Sequence, residues 1–416
     1  MSLNRRQFMK ASLAAGAMTS MNLAGCASDK TKISYGLLDE AIARPVLKRE
    51  LFNAPVIIES LELSHFDGNY LLKARSKNGA CGVALSNNAH MRYLYPLLQM
   101  KVIPFFLGKD ARTLDKLVDS VYLYKSNYKL QGLALWICVA TVEFALLDML
   151  GQISGKAIGQ LLGNIGRNEV AVYRANNYRG KSAVESIVRI KKNVAKSGAM
   201  AVKFKIGGRM SRNADDPPGR TEELVPLVRG TFGDKMTIYA DANGSYTVDK
   251  AIEIGRLLER YNYDFYEEPV PFDQLEETKM VADALDIPVA GGEQETSMHR
   301  FRWMIANDCL QVVQPDLFYF GGMIRCMRVA RMAQVVGIPC TPHISGSGLG
   351  YLYMLHFVSS LQNAGPYHEF KGINPDIPLT CDTSPLRSID GMVTVPRGPG
   401  LGIQLNPDFI AKHRVM

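Results

Sequence analysis

"MTIYADANGSYTVDKAIEIGRLLERYNYDFYEEP", Met236 to Pro269, holds two short apolar segments with an amphipathic helical stretch between them. Each apolar segment ends on an acid, Asp241 in "YADAN" and Glu267 in "YEEP". A strand, a helix and a second strand of this kind form one parallel crossover unit. The rhythm continues in both directions. "EVAVYRANN", "MAVKFKIG", "IPVAGGE", "CLQVVQPD", "GIPCTPH" and "PYHEF" bring the apolar segments after about residue 170 to eight. Helical stretches such as "GGMIRCMRVARMAQVVG" fill the intervals. Eight strands with helical crossovers predict a (β/α)8 barrel, whose active site forms at the carboxyl ends of the strands.

Six of the eight segments finish on, or within a residue of, a charged or imidazole side chain. These are Asp241, Glu267, Glu293, Asp316, His343 and Glu369, at intervals of 26, 26, 23, 27 and 26 residues. One such residue per unit places them in a ring around one mouth. Lys205 ends "VKFK" 36 residues before Asp241, the extra length lying in the insertion "GRMSRNADDPPGR". Residues i and i+2 of a strand share a face, so Lys203 and Lys205 point the same way, toward that mouth.

Three carboxylates from consecutive units repel one another and raise one another's pKa. A hard divalent cation relieves this, and an all-oxygen set of Asp241, Glu267 and Glu293 points to Mg²⁺. Asp316 followed one unit later by His343 suits an acid that orients an imidazole. Of the two lysines, Lys203 is expected to stay charged and hold a substrate carboxylate. Lys205, beside that cation and a metal, is expected to accept a proton. In "YEEP" the second acid, Glu268, should point away from the first. Glu295, two beyond Glu293, is a candidate to face the pocket, whereas Asn176 and Asn177 read as turn formers.

These motifs, in this order, resemble the enolase superfamily, mandelate racemase subgroup: "KFK", "YADAN", "YEEP", "GGE", "QPD", "PHIS" and "HEF". The resemblance runs from about residue 54 to the end and includes "ALLDMLGQISGKAIGQLLG" and "VPRGPGLGIQL". It implies an α/β fold, a modified TIM (β/α)7β barrel with an α+β capping domain, and one Mg²⁺ per subunit. It further implies Lys205 as general base on one face of the substrate and His343 as acid or base on the other. Glu369 would be a protonated donor to the substrate carboxylate, and Asn243 a substrate contact. The reaction implied is α-proton abstraction from a carboxylate through an enediolate. Dehydration of a polyhydroxy sugar acid to a 2-keto-3-deoxy acid is favoured by the polar insertion, with racemisation, epimerisation or cycloisomerisation as alternatives. A homo-oligomer is also implied.

Composition agrees with an ordinary globular chain. Hydrophobic residues make up 47% and charged residues 21%, which excludes a disordered chain. Formal net charge is +8, and Arg5, Arg6 and Lys10 supply three of it. No Lys/Arg run or basic aromatic stripe suits nucleic acid. Residues 1–26 read as a twin-arginine export signal whose "LAGC" resembles a lipobox, making Cys26 a lipid-anchored N-terminus and the location periplasmic. Residues 27–52 read as a polar tether, 53–169 as the capping domain completed by about 385–416, and 170–384 as the barrel. The six further cysteines read as buried thiols, and no segment beyond the signal is expected to span a membrane. Two other classes fit less well. A Schiff-base aldolase would use paired lysines without three ring carboxylates, and a surface-anchored sugar-acid binder would not need Lys205, Asp316 and His343 together.

Overall fold

The computed structural model describes residues 33–345 and 348–416. The export signal, Cys26 and the first part of the expected tether lie outside the described residues. From residue 35 the tether expectation fails. Tyr35–Ala43 is a helix started by the Ser34 side chain. Leu38, Ala41, Val46 and Leu47 are buried, and the Asp115 carboxylate accepts from the Val46 and Leu47 amides at 3.0 Å each. Apolar residues spaced through "YGLLDEAIARPVL" carry this docking, although the stretch is polar on average.

The capping domain is built on an antiparallel meander of β1 (Ile58–Phe66), β2 (Asn69–Ser76) and β3 (Cys81–Leu85). The 22-residue helix Leu133–Ser154 lies in the core behind this sheet, buried from Leu135 to Gly151 without interruption. By length and composition it could cross a membrane, contrary to expectation, but 89% of its apolar window is buried inside the protein.

Barrel strands β4 (Glu169–Asn176), β5 (Ala201–Lys205), β6 (Thr237–Asp241), β7 (Phe265–Glu267), β8 (Val289–Gly291), β9 (Val312–Val313) and β10 (His368–Glu369) run parallel in the order β10-β4-β5-β6-β7-β8-β9. The expected segment around Cys340 is joined to its neighbours by isolated bridges, Val313 to Cys340, Asp316 to His343 and Cys340 to Ala364. Pro339 and Pro342 flank it and withhold ladder donors, so it forms no continuous strand. A helix follows each of the first seven barrel segments. After β10 the chain instead returns antiparallel onto β4 at Met392–Thr394. The C-terminal segment therefore serves the barrel first, and only Arg414–Val415 joins the capping sheet, beside β1.

Alternation within the strands layers the barrel interior. Tyr173, Ala201, Tyr239 and Phe265 form an inner apolar layer. The Tyr239 and Phe265 rings stack with centroids 3.7 Å apart, and the Tyr173 ring meets Tyr239 edge-on at 5.5 Å. Asp241 lies two residues beyond Tyr239 and Glu267 two beyond Phe265, so both sit one step above this layer on the same inward face.

Three joints lock cap to barrel. The Glu143 carboxylate, on the long capping helix, accepts from the Ile324 amide at 3.1 Å, at the N-terminus of helix Met323–Val335. Gly322 caps that helix with φ +106°, where a Cβ would overlap the carboxylate. The Arg325 guanidinium lies 3.6 Å from the centroid of Trp136. The Tyr353 hydroxyl receives the Leu85 amide at 3.0 Å and donates to the Leu85 carbonyl at 3.2 Å.

Burial pushes the Glu143 carboxyl from its ordinary 4.5 up to about 8. The folded protein holds this proton more tightly than the unfolded chain does. Its contribution to stability is therefore lost as pH rises from the unfolded value toward that of the fold. Glu143→Gln keeps the shape without the ionisation. Its melting temperature should fall less than wild type between about pH 6.5 and about pH 8.5, read by scanning calorimetry; parallel declines in the two proteins would refute the assignment.

Candidate metal centre and acid-base site

Strand register brings the charged residues together. Lys205 is paired with Asp241 across β5 and β6, and Asp241 with Glu267 across β6 and β7. These three side chains share one level on three adjacent strands. On β8 that level is occupied by Ala290. Glu293 reaches the cluster from three residues further on, after a turn at Gly292 with φ +100°. Ligand oxygens of Asp241, Glu267 and Glu293 lie within 4.8 Å of one another, and all three residues are buried.

The lysines are equally buried, Lys203 2% and Lys205 7% exposed. Lys203 Nζ donates to both Glu267 oxygens, at 2.6 and 2.7 Å, and lies 5.3 Å from the Tyr173 ring centroid. Lys205 Nζ pairs with Asp241 Oδ2. Burial alone would discharge Lys203, but Glu267, Tyr173 and Asp241 hold its pKa well above the ordinary value. Burial raises the Asp241 carboxyl, yet Lys205 and Lys203 outweigh it and keep the group ionised. Burial and the charge of Asp241 push the Glu267 carboxyl up, against the pull of Lys203. The Glu293 Oε2 atom is buried without a hydrogen-bond donor. Three converging carboxylates, one of them with an orphaned oxygen, form the all-oxygen donor set that a hard divalent cation takes.

The carbonyls at the end of β5 are fixed from outside. Arg220, 2% exposed, donates Nη1 to the Lys205 carbonyl at 2.9 Å. Arg179 donates to the Gly207 and Ile206 carbonyls at 2.8 and 3.1 Å. Both arginines flank the strand in sequence and secure the backbone that carries Lys205.

Asp316 and His343 form the expected pair: His343 Nδ1 is 2.6 Å from Asp316 Oδ2. Asp316 Oδ1 also accepts from the Phe318 and Tyr319 amides, at 2.8 Å each. With only acceptors on the carboxylate, His343 Nδ1 carries a proton and Nε2 faces the site, 3.4 Å from Glu293 Oε2. Burial works against the imidazolium, but Glu293 and Asp316 raise its pKa to about 9.

Around the barrel, Lys205 on β5 and His343 on the seventh segment flank β6, β7 and β8, which lead to the three carboxylates. Lys203, Lys205, Glu293, His343 and Glu369 line a cavity of about 400 Å³. The remaining wall includes residues that the sequence did not single out: Arg209, Gln294, Tyr319, Ser345, Tyr351 and Lys371. Asn177, read as a turn former, also faces it. Among the described residues no carboxylate pairs with Arg209, which comes from the insertion before β6.

Three expectations change, those for Glu369, Asn243 and Glu295. Glu369 is engaged as an acceptor. It accepts from the Lys371 ammonium and from the Tyr351 hydroxyl, the latter at 3.3 Å. Burial raises its carboxyl, but Lys371, Lys203 and His343 hold it well below the usual range. The "EFK" spacing could have signalled this pair. Asn243 does not line the cavity. Its amide is 3.5 Å from Glu268 Oε2 and its oxygen 3.4 Å from Arg209, so it braces the wall from behind. Glu268 stays out of the acidic cluster, in keeping with the expectation that it points away from Glu267. Strand β7 ends at Glu267, Glu268 takes φ +43°, and its carboxyl is buried beside Asn243. Glu295 turns away and accepts from the Thr296 and Ser297 amides, just ahead of helix Met298–Ala306, at 2.7 Å each. Asn176 is also structural, donating to the Arg174 and Lys203 carbonyls.

Comparison with known proteins agrees with this geometry. The family described as enolase C-terminal domain-like matches residues 186–409, and the twin-arginine translocation signal sequence matches residues 2–21. An arabinonate dehydratase of Saccharolobus solfataricus is 28% identical over 92% of this chain and 97% of its own length. A D-galactarolactone cycloisomerase of Agrobacterium fabrum is 28% identical over 75% of this chain and 82% of its own. A mandelate racemase/muconate lactonizing protein of Paracoccus denitrificans, solved in complex with magnesium, superposes with a TM-score of 0.75 at 25% identity, covering 87% of this chain and 99% of that one. Matched over more than half its length and carrying the acidic triad in a barrel mouth, the chain belongs to the enolase superfamily, in its mandelate racemase branch.

Proposed function

We propose that this enzyme removes the proton alpha to a carboxylate, and that its reaction is dehydration of a polyhydroxy sugar acid to a 2-keto-3-deoxy acid. One observation carries the reading: a buried lysine and an Asp-oriented histidine flank three converging carboxylates in a single cavity. Asp241, Glu267 and Glu293 would hold one Mg²⁺, which when bound supplies the positive charge that stabilises an enediolate.

The chain's own groups do the proton work. Lys205 Nζ, as the neutral amine, takes the α-proton, and the C–H electron pair passes toward the carboxylate. His343, its Nδ1 proton held by Asp316, gives the proton on Nε2 to the β-hydroxyl. The β C–O bond breaks and water leaves. The enol then tautomerises to the 2-keto acid, so atoms and charge balance. Lys371, with Glu369 and Tyr351 fixing it, takes the place expected of a neutral Glu369 as donor to substrate oxygens. The tyrosine layer beneath excludes water from the metal side. The cycloisomerase relative supports a second reading, in which His343 serves a ring oxygen instead of a free hydroxyl. Racemisation needs only that no leaving group lies near it. With the signal matched at its N-terminus, the folded enzyme would be exported to the periplasm, with Cys26 as the lipidated first residue.

Mg²⁺ at about 100 times its dissociation constant should stabilise the wild type by about 2.7 kcal/mol, a rise in melting temperature that Asp241→Asn should abolish. An unshifted wild type under saturating magnesium would remove the metal from the proposal. A screen of sugar acids with Mg²⁺, read as 2-keto acid formation, should find the substrate. On it, Lys205→Ala and His343→Asn should each lose roughly 10²- to 10⁴-fold in kcat. Lys205→Ala should also stop deuterium uptake at carbon 2. Full activity in both variants would overturn the acid-base roles of Lys205 and His343.

A further inference from the structure

We propose that Asn87, in the capping domain, is a positioning residue for the Asp316–His343 pair and acts through the Ser345 hydroxyl. Asn87 lies between β3 and the helix Asn88–Leu97, and it is wholly buried. It is the N-cap of that helix, a position where an asparagine side chain ordinarily accepts from the first turn. In this protein it makes no such bond. Its Nδ2 instead crosses to the barrel and donates to Ser345 Oγ at 3.1 Å. Its Oδ1 faces His90 Nδ1, also at 3.1 Å.

Ser345 passes the contact on. Its hydroxyl donates to Asp316 Oδ1 at 2.9 Å and its amide to Oδ2 at 2.5 Å. A hydroxyl has one proton. By donating into the Ser345 oxygen, Asn87 leaves that proton directed at Asp316, and each bond polarises the next. The result is a chain from His90 through Asn87, Ser345 and Asp316 to His343. The Tyr319 side chain is a competing partner for Ser345, and its ring packs edge-on against His90 at 5.4 Å. Without Asn87, the hydroxyl is free to turn toward Tyr319, and Asp316 loses one of the donors that fix its plane.

Each half of the protein thus supplies something the other lacks. The barrel provides the acid and the imidazole, and the cap fixes their rotamers. The kinetic consequence rests on the proposed acid-base role of His343; the geometric one does not.

The test reads the imidazole directly. In ¹⁵N-histidine-labelled, Mg²⁺-loaded protein, the Nδ1 proton of His343 should give a low-field resonance, identified by its loss in His343→Asn. Asn87→Ala and the isosteric Asn87→Asp should each remove or strongly broaden it, as the aspartate can only accept from Ser345. Ser345→Ala should do the same, and Ser345→Thr, which keeps the hydroxyl, should retain the signal. Asn127→Ala, at a buried capping residue bonded to the Val121 carbonyl, should leave it unchanged. With a substrate in hand, Asn87→Asp should lower kcat at little cost in KM, while deuterium uptake by way of Lys205 continues. An unaltered resonance in a folded Asn87→Asp protein would overturn the proposal, even if Ser345→Ala removes it. Failure of the substrate screen would strike the proposed reaction and leave the resonance to decide this point.

Discussion

The register of β5, β6 and β7 is the constraint on which the site depends. It sets Lys205, Asp241 and Glu267 side by side at one level, out of water. Burying a charge costs several kcal/mol unless it is paired and hydrogen-bonded. The cluster meets that condition by alternation of sign, with Lys203 bidentate on Glu267 and Lys205 on Asp241. A slip of one residue in β5 would turn both lysines outward and bring Val202 and Phe204 into the mouth, leaving two carboxylates uncompensated. The aromatic layer beneath completes the arrangement. Tyr239 and Phe265 fill the barrel below the charges, so the electrostatic partners act in a dry medium, where they are strong.

The cap and the C-terminal segment are tied to the barrel that carries this register. Arg220 and Arg179 pin the carbonyls that follow Lys205. Asp148, on the long capping helix, accepts from the Val83 amide at 2.8 Å and the Leu401 amide at 2.9 Å, so one carboxylate ties the capping sheet to the C-terminal segment. That segment has already added a strand to β4 before it arrives. Cap, barrel and C-terminal return are therefore one mechanical unit, and the division drawn from sequence is a division of chain order more than of structure.

What could be read in advance follows from periodicity. The barrel was legible because its strands end on chemistry once per unit, and the acidic triad and the Asp316–His343 pair were legible for the same reason. Features that depend on where a strand stops were not. Asn243 follows the end of β6, where a positive φ redirects the chain and alternation no longer predicts direction. The docking of Tyr35–Ala43 was hidden because a few apolar residues at helical spacing do not alter the mean polarity of a short segment. Asn87 was invisible for a different reason: nothing local distinguishes an asparagine that caps its own helix from one that reaches across a domain boundary.

These observations separate what the scaffold fixes from what it leaves open. The position of Lys205 is fixed, because it stands on a strand whose backbone is held by Arg220 and Arg179, and in the proposed reaction proton removal falls to it. The outcome after proton removal depends on what stands next to His343 Nε2, a free hydroxyl, a ring oxygen or nothing. That choice falls to the cavity wall: Arg209 from the insertion, Lys371 past the last strand, Tyr319 and Ser345 between the barrel segments. None of these residues lies within a strand. Reaction type can therefore diverge by changes in segments that carry little of the fold's stability. Relatives at similar identity named as a dehydratase and a cycloisomerase are what such a division of labour should produce.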